Sequence, residues 1–182
     1  MRRWLDNMYK VSCWLAAGCI ACIALLVVSQ VFLNLTDRIS SMLTGTAIGL
    51  TIPSYADFTG FLLAAASFMA LAYTLREGGH IRVTLVIGNL PKKVQRMIEG
   101  WCIGVASAIT LYFTWYSAKL TYESYAYHDL SPGMVAVPIW IPQMAMLTGL
   151  AILSIALLDE LVSVFSGRAP SYTGKGEKLL GE

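Results

Sequence analysis

Four stretches without a single charged residue constrain this chain more than any other feature: Val11 to Thr36, Phe58 to Leu75, Gly100 to Ala118 and Leu130 to Leu158, together half of its 182 residues. A hydrocarbon core of about 30 Å takes about 20 helical residues to cross. Each stretch reaches or nearly reaches that length, so the chain reads as an all-α integral membrane protein with four transmembrane helices, over about 11–35, 58–76, 100–118 and 138–158. Composition agrees, at 57% apolar and 13% charged against about 45–50% and 25% in soluble proteins. What remains is divided among two tails and three connections, too scattered for a further domain of about 50 residues. That excludes a soluble catalytic domain. A net charge of +2 with no long basic run excludes nucleic acid as a partner.

The uncharged segment Ile39–Ala56 is separated from the next stretch by Asp57 alone, and one residue cannot reverse two antiparallel spans. Its apolar residues follow helical spacing up to Pro53, which predicts a short amphipathic interfacial helix over about 39–52. A second is predicted over about 82–96, where Val83, Val86, Ile87 and Leu90 and then Val94, Met97, Ile98 and Trp101 alternate with Lys92, Lys93 and Arg96. Lys and Arg number three in the N-terminal tail, five in the middle connection and three in the C-terminal tail, against two in the other connections. The positive-inside rule then puts both termini and the middle connection in the cytoplasm. Tyr9, Trp14 and Trp101 fall near that inner face and Trp115, Tyr116, Tyr122, Tyr125 and Trp140 near the outer one, as aromatic belts do. Residues 1–165 form a single transmembrane domain, and 166–182, rich in Gly, Ser and Lys, a flexible cytoplasmic tail.

None of the four stretches contains an ionisable group of the kind that ion-moving proteins retain inside the bilayer. Asp159 and Glu160, at the end of the fourth, read as solvated end charges. Gln30 with Asn34, one turn apart, and Gln143 read as interhelical hydrogen-bonding groups, and Gly100, Gly104 and Ala108, like Gly60 with Ala64 and Ala66 with Ala70, as faces for close helix approach. Cys19 and Cys22 make a C-x-x-C, but Cys13, Cys19, Cys22 and Cys102 all fall within spans and read as small packing residues. His80 and His128 stand in connections on opposite sides, which argues against haem. No cofactor, metal or catalytic residue is expected. Two other classes stay open from the residues alone: a four-helix membrane redox protein, of the quinone/thiol or cytochrome-anchor type, and an autonomous small transporter.

REGGHIRV (Arg76–Val83), NLPKKVQR (Asn89–Arg96), Ser54–Asp57 and DLSPGMVAVPIWIPQ (Asp129–Gln143) resemble the small, Q-type (DctQ-like) membrane subunit of tripartite ATP-independent periplasmic (TRAP) transporters. Tyr55 and a lone Asp57 stand where many members carry Trp and paired acids. The resemblance implies a non-catalytic inner-membrane subunit that packs against a large multispanning subunit as part of its static scaffold. That large subunit would be driven by a sodium gradient to take up organic acids delivered by a periplasmic binding protein. It also suggests residue roles. Arg76, His80, Arg82, Lys92, Lys93 and Arg96, with Gly100, Gly104 and Ala108, are expected to contact phospholipid or the large subunit. Asp57, Tyr127, His128 and Asp129 are expected to contact the binding protein.

Overall fold

The computed structural model describes residues 2–78 and 91–166. Four helices make it up: α1 (Arg2–Thr44), α2 (Tyr55–Arg76), α3 (Lys92–Ala126) and α4 (Trp140–Phe165). All four are long and apolar enough to cross a membrane. At 43 residues α1 extends about 65 Å, roughly twice the hydrocarbon thickness, so much of it projects beyond any span. Its charge-free run is followed by Asp37 and Arg38 within the same helix.

Two corrections to the sequence reading concern the interfacial helices. Residues 39–44 do not start a separate helix over 39–52: they continue α1, and residues 46–52 are non-helical. Gly45 and Gly49 adopt positive φ, a backbone region that ends a helix and suits glycine. Of the helix expected over 82–96, residues 82–90 lie outside the described part. Lys92–Arg96 form the opening turns of α3, where Pro91 serves as cap and its carbonyl accepts from the Gln95 amide at 3.0 Å. His80, Arg82 and the tail from residue 167 also fall outside the described part. The fourth helix begins at Trp140 rather than 138, because Pro138 is held in a loop, and Pro142 sits in its first turn, where a missing N–H costs nothing.

The helices pack chiefly in the order α1–α2–α4–α3, a row rather than a closed ring. Neighbours α1 and α2 run antiparallel, as do α3 and α4, while α2 and α4 run parallel. One end of the row, here the basal end, therefore holds the start of α1, the end of α2, the start of α3 and the end of α4. The α2–α4 crossing is tight. A Cβ on Gly149 would lie 2.5 Å from the Phe68 carbonyl carbon, so only glycine fits there. Gly60, by contrast, has open space where a Cβ would be.

The α3–α4 seam is written in small polar residues. Ile103, Ser107, Thr110, Thr114, Ser117, Thr121 and Ser124 alternate in steps of four and three, the period of a supercoiled seam. Their hydroxyls mostly donate to carbonyls one turn back, as Ser107 does to Ile103 at 2.7 Å and Thr121 to Ser117 at 2.7 Å, and Thr114 meets Ser154 of α4 at 3.0 Å. Hydroxyls satisfied in this way can be buried without penalty and let the backbones approach. Packing in a row leaves most apolar surface uncovered, since only 11–28% of each helix's most apolar window is buried.

Candidate functional site

The basal end is tied together by one cation. Arg76, in the last turn of α2, is 13% exposed at its side chain and bridges α1 and α4: Nη2 lies 2.6 Å from Asp6 Oδ1 and Nη1 3.4 Å from Asp159 Oδ2. The guanidinium also sits 5.2 Å from the ring centroid of Tyr9, a cation–π geometry. Tyr9 is 1% exposed, with Ser12 and Ala16 each 2% exposed on the same face of α1 one and two turns along. The Ser12 hydroxyl donates to the Met69 carbonyl of α2 at 2.5 Å, and Ala72 and Ala156 close around Tyr9. Arg76, expected to contact phospholipid or the large subunit, is paired within the chain with both carboxylates. Asp159 is likewise no solvated end charge, and Glu160 is 2% exposed. The reason is spatial: no sequence pattern shows that the ends of α2 and α4 lie side by side.

On α3, Lys93 and Arg96 remain outward at this end, as Lys10 does on α1. The α3 pair stands at the mouth of a groove of about 800 Å³ between α3 and α4. Gly100, Gly104 and Ala108 form its floor, and Trp101, Val164 and Phe165 its walls. The small-residue stripe is therefore not where α3 meets α4. A Cβ on Gly104 would touch nothing within 4 Å, and one on Gly100 would meet only Val164 Cγ1 at 3.6 Å. The Ser/Thr seam, which the sequence reading passed over, does the packing. Its signal was legible as hydroxyl residues at heptad spacing.

At the opposite, distal end polar side chains hold connecting backbone. Gln30, 4% exposed, accepts from the Ile52 amide at 2.8 Å and donates to Thr51 and Asn34, each at 3.0 Å. Asp37 accepts from the Ile48 and Gly49 amides at 2.7 and 2.8 Å. The α1–α2 connection is thus strapped back along α1, so Gln30 works within its own hairpin and not between spans. Gln143 Oε1 is buried without a partner.

Between α3 and α4, residues 129–139 form a narrow loop closed by the Leu130–Pro138 bridge, with Ser131 N donating to Val137 O at 2.8 Å and Ile139 N to Asp129 O at 3.0 Å. This loop lies on the start of α2. Ser54 accepts from the Val135 amide at 2.9 Å, and a Cβ on Gly133 would collide with Asp57 Oδ2. Two sequence segments noted separately, Ser54–Asp57 and Asp129–Gln143, are therefore one contact, and Asp57 is half-buried under it. Tyr127, His128 and Asp129 are exposed on the turn that ends α3. There His128 has φ of 56°, with its amide directed to Tyr125 O at 3.4 Å and the Asp129 amide to Ser124 O at 3.1 Å. That is a Schellman ending with histidine in the place glycine favours.

The model of the family described as tripartite ATP-independent periplasmic transporters, DctQ component, matches residues 46–167. The chain belongs to this family. No curated protein matches it. As a DctQ component it is a multi-pass membrane part of a transporter that works with other TRAP components. The matched region starts after α1, in the connection that Gln30 and Asp37 hold, and takes in the Ser54–Gly133 contact, the Ser/Thr seam and the groove. Within α1, which lies before the match, Asp6 and Tyr9 still close on Arg76, a residue inside it. The four cysteines are free thiols, with Cys22 and Cys102 exposed on α1 and α3.

Proposed function

We propose that this DctQ component is the non-catalytic small permease subunit of a sodium-gradient-driven TRAP transporter, built into the static scaffold of the large multispanning subunit. Its basal end and both termini face the cytoplasm of a bacterial inner membrane. The large subunit would carry the ion and substrate sites for organic acids, and a periplasmic binding protein would deliver them to the distal end. The observation that carries this reading is the open row of helices. A four-helix protein with its own pathway has reason to close around it, whereas a row presents two broad apolar faces that lipid and a larger partner can cover.

In this reading Lys92, Lys93 and Arg96, with His80 and Arg82, meet phospholipid headgroups and the large subunit at the inner interface. Tyr127, His128 and Asp129 are the group placed to meet the binding protein, and Asp57 supports the loop beneath it. The test is affinity purification in mild detergent of the C-terminally tagged chain, expressed from its native genomic context, with mass spectrometry of what accompanies it. A stoichiometric large multispanning protein is expected. A chain that purifies alone and supports flux in proteoliposomes would replace this reading with an autonomous transporter.

A further inference from the structure

We propose that the groove between α3 and α4 seats an acyl chain of an anionic phospholipid whose phosphate is held by Lys93 and Arg96. The inference rests on the reading of these two cations as headgroup contacts and adds where the rest of that lipid lies.

Three features of the groove converge on it. Lys93 and Arg96 are exposed, three residues apart on one face of α3, and neither is ion-paired among the described residues. Below them the floor carries little side chain: Gly104 leaves open the space that a Cβ would begin to fill, and a Cβ on Gly100 would meet only Val164 Cγ1 at 3.6 Å. An uncovered apolar hollow in a bilayer forfeits contacts unless something occupies it. From Arg96 to Ala108 the helix advances twelve residues, about 18 Å, close to the roughly 15 Å of one leaflet's hydrocarbon. A headgroup at the two cations therefore lets a chain run the length of the floor without leaving its leaflet. A partner helix laid in the same place would have to bring acidic residues of its own to the mouth, whereas a phospholipid brings the anion and the apolar chain joined at the right spacing.

Trp101, 73% exposed at the rim, reports occupancy. In a variant with Trp4, Trp14, Trp115 and Trp140 changed to Phe, the purified chain in neutral detergent is titrated with phosphatidylglycerol carrying brominated acyl chains. Saturable quenching of Trp101 is expected, with phosphatidylcholine on the order of thirty-fold weaker, as two cations near an anionic headgroup supply. Lys93→Ser with Arg96→Ser should abolish that preference. Gly104→Leu, whose Cβ has open space and whose longer side chain occupies the groove, should abolish saturable quenching altogether.

Equal quenching by the two lipids would overturn the proposal, as would full competition by inorganic phosphate, which would mark an anion site without a chain. Loss of preference in the Lys93/Arg96 variant with Gly104→Leu inert would leave headgroup contacts standing and remove the seat. Quenching that disappears when the large subunit is co-purified would assign the groove to a protein helix instead.

Discussion

The two ends of the row are held by opposite means. At the basal end, side chains from three helices meet one another: among the described residues, Asp6, Tyr9, Arg76 and Asp159 form a charged contact without backbone from a connecting segment. At the distal end, side chains capture backbone: Gln30 and Asp37 take amides of the α1–α2 connection, and Ser54 takes one from the α3–α4 loop. The contrast follows from what each end must satisfy. Helix ends carrying charge near a bilayer need counter-charges, because an unpaired ion out of water is costly. Connections that turn tightly leave amides unpaired by secondary structure, and each needs an acceptor.

The largest test of that contrast is Arg76→Leu, which leaves Asp6 and Asp159 facing each other without a cation. Removing one partner from a buried pair costs up to about 5 kcal/mol, and the partial exposure of both carboxylates brings the expected loss to about 3 kcal/mol. Thermal unfolding in detergent measures it, and adding Asp6→Asn and Asp159→Asn should recover part of the loss. No recovery would mean that the guanidinium acts by packing on Tyr9 and not by charge.

Gln30→Leu should cost about 2 kcal/mol by orphaning the Ile52 amide, and hydrogen exchange at Ile52 should quicken while amides around Arg76 stay protected. Quickening at both ends would show that the ends are coupled and the contrast false. Gly133→Ala drives a methyl against Asp57 and Ser54, for about 1 kcal/mol; combined with Asp57→Ala the loss should shrink. Smallest is His128→Gly, a gain of about 0.5 kcal/mol, since relief of the left-handed backbone of about 1–2 kcal/mol is offset by the greater freedom of unfolded glycine. A loss there would give the imidazole a contact of its own.

The glycine stripes mark faces that a helix of this chain or of a partner can approach closely; within this chain the tight crossing belongs to Gly149, and the Gly100–Gly104–Ala108 stripe floors a groove. Spacing alone cannot tell a face that a helix covers from one it leaves open, because both demand small side chains. The heptad of Ser and Thr on α3 was visible and more informative, since hydroxyls that bond their own helix are the polar groups a dry seam tolerates.

By itself the sequence determined four helices, their span-length apolar runs and membership in a transporter component family. Length and apolar composition are local quantities, and a bilayer turns them directly into spanning helices. Only the tertiary structure decided the order α1–α2–α4–α3, the inward turn of Arg76 between Asp6 and Asp159, the meeting of Gly133 with Asp57, and the groove left open below Lys93 and Arg96. Each of these joins residues from different helices or connections. Such contacts depend on which faces pack together, and in a membrane, where lipid is as apolar as the side chains, hydrophobicity does not choose the faces.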